Sequence, residues 1–339
     1  ISLTLWPVLG VRAQGLEVGN AKWAAQGPML QAENAAIGID VKSLLRGEVR
    51  ITNIEAQSPT LRLEQRMDGR ASWEFTDSSG EAKIETSTAP DKPVRPVSIE
   101  KLLIRDATLI YDAEGSDLVA YEGVDLSLKW PERTGPAQIE ARITPSQTPV
   151  SVTATIEGFA GFIAGDVQKL RAEVSTDAGD MSFDGRASTA GAVAGNVLIK
   201  TQDSDAFLKT LGLPGAILPP KLGRSVDLKA DLTLTPDRRL ALRGIDADLS
   251  GNRLTGELDA SLNGIPDVVA KLDAGALDVS SATDAGSKGD GSSHSSASSS
   301  GWSRDVIDAS GLANFNGAIE LNASSVDLGQ FKLGATRTV

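Results

Sequence analysis

Cysteine is absent from the 339-residue chain, so it offers neither a disulfide framework nor a thiolate nucleophile or metal ligand. Histidine is almost absent too. The single one, His294, sits in a Ser-dominated tract, and a Ser-His-acid triad hung there would lack the rigid surroundings that catalysis requires. Zinc is equally short of ligands. Aromatic residues make up only 4%, so burial rests on Leu, Val, Ile and Ala and favours thin layers over a bulky globule. No apolar run approaches the ~18–20 residues that span a bilayer. Clusters of Lys and Arg are missing as well. With a formal charge of −12 the chain repels phosphate backbones, so nucleic acid is not expected as a partner. Basic attachment to an anionic membrane is disfavoured for the same reason, whereas apolar contact with lipid tails is not. The sequence contains no nucleophile elbow, phosphate-binding loop, dinucleotide fingerprint or EF-hand loop.

What is present is alternation of period two, punctuated by Gly, Asp, Asn and Pro at short intervals, the signature of antiparallel strands. Leu228, Leu232 and Leu234 lead to a Pro236-Asp237 turn; Leu240 and Leu242 follow. Ile245, Ala247 and Leu249 then reach Ser250-Gly251-Asn252, before Leu254, Leu258 and Leu262. The run reads as a meander. Asp68-Gly69, between Leu61-x-Leu63 and Trp73-x-Phe75, reads as a hairpin turn. Helix signals are few: Asp205 to Leu211, capped by Ser204 or Asp205 and stopped by Gly212 and Pro214, and a weaker turn at Val41 to Leu45. Two stretches rich in turn formers, 77–97 and 280–301, read as linkers, the second as disordered.

An internal repeat is visible. Ile51, Ile54, Ala56, Pro59, Thr60, Leu61 and Leu63 match Ile99, Leu102, Ile104, Ala107, Thr108, Leu109 and Tyr111 at a constant offset of 48 without gaps. Asp246 and Asp248 share a strand face with Asp259 or Glu257 nearby, which raises a cation site or an acid pair. Ile245, Ala247 and Leu249 take the opposite face, so a solvated outer face is the expectation. The most apolar stretch, Gly158-Phe-Ala-Gly-Phe-Ile-Ala-Gly165, reads as a turn and strand closing over a core, with a lipid-touching tip as the rival reading.

The order of several blocks resembles the AsmA family of Gram-negative envelope proteins. They are Leu5-Trp6-Pro7-x-x-Gly10, Leu16-Glu17-Val18-x-Asn20-Ala21-x-Trp23, Leu44-Leu45-x-Gly47-x-Val49, Pro59-Thr60-Leu61-x-Leu63-Glu64 and Asp68-Gly69-Arg70-x-x-Trp73-x-Phe75. Near the far end stand Leu254-Thr255-Gly256 with Leu258, Leu277-Asp278, and Trp302-Ser303-x-x-x-Ile307-Asp308. The likeness is most specific over 1–75 and 240–339 and weak over 130–225. It implies an inner-membrane helix preceding Ile1, a periplasmic β-rich body, and kinship with the TamB and chorein-like lipid-bridging proteins. It brings no catalytic residues and no cofactor.

The expectation is a mainly β fold: an elongated, curved, groove-like antiparallel sheet with few short helices. Its segments are an N-terminal β region (1–76), a linker (77–97), a central β-rich body (98–279), a second linker (280–301) and a C-terminal β segment (302–339). The expected function is non-enzymatic: binding or conducting phospholipid or another envelope lipid between inner and outer membranes. The rival is a scaffold that assists outer-membrane protein assembly by offering strand edges to its clients, with outer-membrane assembly factors as partners. Leu61, Leu63, Leu109, Tyr111, Leu126 and Leu128 are the expected lipid-facing residues, on one apolar sheet face.

Overall fold

The computed structural model describes the chain apart from residues 1, 5–8, 22, 25–26, 46–49, 68–69, 71, 73–97, 116–117, 133, 214–222, 281–315, 329–330 and 339. The linker at 77–97, the linker at 280–301 beyond Ser280, His294, the Asp68-Gly69 turn, and the blocks 73–75 and 302–308 lie outside the described residues. The chain forms two units: Ile1–Thr176 with Arg186–Ala190, and Asp177–Gly185 with Gly191–Val339.

The first unit begins with β1 (Ser2–Thr4), β2 (Leu9–Val18), β3 (Leu30–Ile39), the helix α1 (Val41–Leu45), β4 (Arg50–Gln57) and β5 (Thr60–Gln65). It continues with β6 (Ser98–Ile99), β7 (Lys101–Ala113), β8 (Val119–Lys129), β9 (Ala137–Ile143), β10 (Val150–Ile156), the helix α2 (Phe159–Ile163) and β11 (Gln168–Thr176). Alternation sets which side faces in: β10 and β11 change burial class at every residue along their length. From β7 through β11 each strand pairs antiparallel with a sequence neighbour, except that α2 bridges β10 to β11.

The sheet is mixed, not purely antiparallel. β4 lies parallel to β6 and β7, and β5 parallel to β7. Ile51 stands beside Ile99, Ile54 beside Leu102, Ala56 beside Ile104, Thr60 beside Thr108, Leu61 beside Leu109 and Leu63 beside Tyr111. The sequence offset of 48 is therefore the strand register itself. Both copies break at the same place: Ser58 and Asp106 take left-handed φ angles of 44° and 54°, and the Ser58 hydroxyl donates to Asp106 Oδ2 at 2.9 Å. Each break is a bulge that carries the inward phase from even to odd positions, so Leu102 and Ile104 share a face with Ala107, Leu109 and Tyr111.

The second unit holds most of β12 (Gly179–Ala187), then β13 (Val193–Thr201), the helix α3 (Ser204–Thr210), β14 (Val226–Leu234), β15 (Arg239–Leu249), β16 (Asn252–Ser261), β17 (Asp267–Asp278), β18 (Asn316–Asp327), β19 (Lys332–Leu333) and β20 (Thr336–Thr338). The meander from β13 to β17 is antiparallel as read from the sequence. Its inward residues are Val197, Ala230, Ile245 and Ala247, with Leu228, Leu242 and Leu258 against them. β17 and β18 break the rule again. They are parallel at an offset of 49, with Leu272 beside Leu321, Ala274 beside Ala323 and Leu277 beside Val326. Asn252 ties the β15–β16 turn to the end of β17: its amide donates to the Leu249 carbonyl and its Oδ1 accepts from the Asp278 N–H at 2.6 Å.

The helices correct two local readings. α3 is capped by Asp203, whose carboxylate accepts from the Ala206 N–H, in place of the expected Ser204 or Asp205. The apolar stretch at 158–165 forms α2 rather than a strand, because Gly158 and Gly161 let the chain coil there against the Gln168 side chain. Phe159 meets Trp130 edge to face at 5.1 Å between centroids. α1 stands where the weaker turn was read, its Ser43 N–H bonded to Asp40 Oδ2.

Candidate functional site

The register of the first unit assembles an apolar face in continuous rows. One row runs Ile37, Ile54, Leu102, Leu128, Ile139, Ala154 and Ala172, one residue each from β3, β4, β7, β8, β9, β10 and β11. The next runs Ala35, Ala56, Ile104, Leu126, Ala141, Val152 and Val174 through the same strands. At about 4.8 Å per strand, six steps carry each row roughly 29 Å along the sheet. Beyond the bulges, Leu30, Leu61, Leu109 and Tyr121 form a third row, and Leu63, Tyr111 and Val119 a fourth.

All six residues singled out from the sequence thus stand on one face: Leu61 and Leu109 in the third row, Leu63 and Tyr111 in the fourth, Leu126 and Leu128 in the first two. The Tyr111 hydroxyl donates to Gln65 Oε1 at 2.7 Å, giving the fourth row a polar margin. Sequence reasoning missed the contributions of β9, β10 and β11. Their signal was available in the strict alternation of Ile139, Ala141 and Ile143 and of Val150, Val152, Ala154 and Ile156.

The packing of this face is the informative feature. In the first two rows only Ala35 is buried; every other member is half-buried. Among the described residues of the whole chain the largest fully buried side chains are Val150, Pro59 and Ser43. A closed core would hide its Leu and Ile to a few per cent, as close-packed interiors do.

In the second unit, Asp246 is paired by Arg253 and Asp259 by Arg243 at 2.7 Å, so these acids are solvated ion pairs on the strand face away from Ile245 and Ala247, as the alternation implied. Hydrogen bonding to Asp259 raises the Arg243 pKa, and bonding to Asp246 raises that of Arg253. Similar bonds to Asp205 and Asp327 raise Lys209 and Lys332. No group of acidic or histidine side chains able to hold a metal occurs among the described residues.

Fold and face together define a class: a mainly β protein with an apolar sheet face left accessible to solvent. The chain belongs to the AsmA family, which matches residues 1–248. The match takes in the whole apolar face of the first unit and ends within β15; β16 to β20 lie beyond it. No curated protein and no solved structure matches the chain.

Proposed function

We propose that this envelope-associated protein of the AsmA family binds or conducts lipid acyl chains between the inner and outer membranes, using the apolar face of the first unit. The observation that carries the reading is the pair of apolar rows crossing seven strands with every side chain but that of Ala35 only partly buried. Water against such a surface is unfavourable, and each methylene removed from water there contributes ~0.8 kcal/mol. An acyl chain laid along a row would supply a dozen or so methylenes while its head group stayed hydrated at the margin. The face requires no catalytic group for this.

Photo-crosslinkers placed at Leu126 and Ile139 in the purified chain are expected to capture lipid, identified by mass spectrometry, whereas one at the polar Glu140 between them captures none. Equal labelling at all three positions would refute the apolar face as the lipid site. Strand-peptide capture without lipid would favour the scaffold reading.

The same proposal places the body in the periplasm, joined to the inner membrane by a segment outside this sequence. No helix among the described residues is long and apolar enough to cross a membrane. A reporter fused after Val339 in the intact gene product should be active only in the periplasm; cytoplasmic activity would sink the location and the bridging role together.

A further inference from the structure

The polar side of the first unit carries a second feature. Where the bulges bend the strands, a concavity of about 500 Å³ opens, lined by Arg12, Gln14, Asn34, Glu55, Gln57 and Arg105 among others. Register explains the set. Gln14, Asn34, Gln57 and Arg105 stand side by side on four successive strands, β2, β3, β4 and β7. Arg12 and Glu55 flank Ala36 in the adjoining row.

The row is a ladder of three carboxamides ending in a guanidinium, each step about 4.8 Å. Among the described residues, Arg12, Gln14, Asn34, Gln57 and Arg105 have no side-chain hydrogen-bond or ion-pair partner, whereas Glu55 accepts from Asn53 at 3.2 Å. Most other exposed arginines with described geometry are engaged, as Arg243 and Arg253 are. Two carboxylates at the same bend are occupied: Asp106 Oδ2 takes the Ser58 hydroxyl and Asp125 Oδ1 the Asp106 N–H. In a chain of net charge −12, this concavity holds two cations against one lining carboxylate. Screening over about 8 Å at physiological salt lets that local excess outweigh the distant negative charge.

Guanidinium forks match the oxygens of a phosphate, and carboxamides, which donate and accept at once, match hydroxyl groups. We propose that the concavity binds a sugar phosphate, with Arg12 and Arg105 on the phosphate and Gln14, Asn34 and Gln57 on the hydroxyls. Its polar side chains alternate along the strands with those of the acyl rows; Ala35 and Ala56 of the second row also border the concavity, and the binding chemistry assigned here does not use them. A polyol phosphate of this kind could reach it free in solution or, as a phosphodiester, as the head group of a phospholipid.

Glucose 1-phosphate, titrated into the isotopically labelled full chain, is expected to shift the amide resonances of β2, β4 and β7 with millimolar or tighter affinity. Glucose and inorganic phosphate alone should each bind at least about tenfold more weakly, since each satisfies one half of the site. Arg105→Gln and Gln57→Ala should each weaken glucose 1-phosphate binding by about tenfold, with unchanged circular dichroism, while Arg171→Gln on a distant polar row leaves it intact. In a second arm the chain is floated with phosphatidylinositol vesicles and with phosphatidylcholine vesicles. Selective, Arg105-dependent flotation with the former identifies a membrane head group as the source; binding of the free ester alone identifies a soluble one. Absence of binding in both arms, or binding that Arg105→Gln leaves untouched, overturns the proposal.

Discussion

Leu126→Asp is expected to leave the sheet folded and to abolish lipid crosslinking from Ile139, whereas Val150→Asp on the same face is expected to unfold the first unit. The contrast follows from exposure. Leu126 is half-buried, so an aspartate there can reach water through the open side of the face, and the cost is mainly lost contact with neighbours and with acyl chains. Val150 is 1% exposed, and a carboxylate at its position would be buried without a partner. Such changes cost several kcal/mol, against a typical stability of about 5–15 kcal/mol for a whole domain. A loss of about 4 kcal/mol lowers the melting temperature by roughly 10 °C or more in a unit of this size. Leu61→Asp and Leu109→Asp should behave like Leu126→Asp. Thermal melts followed by circular dichroism, read beside crosslinking, decide the matter. Unfolding by all three leucine variants, with lipid found nowhere on the face, would leave a purely structural sheet.

Gly195→Val is expected to cost the second unit at least as much, for a reason that has nothing to do with burial. A Cβ on Gly195 would stand 2.5 Å from the carbonyl oxygen of Asp184 and from the Cα of Gly185, and a Cβ on Gly185 would meet the backbone of Ala194 and Gly195 in return. Backbone atoms cannot turn aside as a side-chain tip can. The strands β12 and β13 must therefore separate, losing the ladder at that point, with an expected loss of about 3 kcal/mol or more. Gly264→Ala is the control: nothing lies within 4 Å of its Cβ position, so only its left-handed φ of 70° is penalised, at about 1 kcal/mol. Urea titration followed by tryptophan-independent circular dichroism compares the two; equal midpoints would refute the close-approach argument.

How much of this was legible in the sequence depends on which physical signal carried it. Alternation carried the strands and their inward residues, and even the bulge in β15 was written in the shift from Leu240 and Leu242 to Ile245, Ala247 and Leu249. The spacing of 48 was equally plain. What alternation does not encode is which strand lies beside which, so the matched strands of the repeat, expected within an antiparallel sheet, are parallel neighbours instead. The companion spacing of 49 in β17 and β18 is harder to see, because the matches of Asp267, Leu272, Asp273, Ala274, Leu277 and Asp278 with Asn316, Leu321, Asn322, Ala323, Val326 and Asp327 are interrupted by unlike pairs such as Val268 with Gly317 and Lys271 with Glu320. The polar ladder at Gln14, Asn34, Gln57 and Arg105 was invisible for the same reason: its members are scattered over more than ninety positions, and only the register unites them.

The parallel alignment of two near-copies has one more consequence. A segment laid in register against its own likeness is the arrangement by which separate chains template one another in cross-β assemblies. For β5, the strand β7 of the same molecule and the strand β7 of a neighbour are therefore chemically equivalent partners. Tethering decides between them, since the intramolecular strand is present at an effective concentration in the millimolar range. Misassembly should then be confined to moments when that tether is slack, during synthesis or refolding at high protein concentration, and dilution should be enough to prevent it.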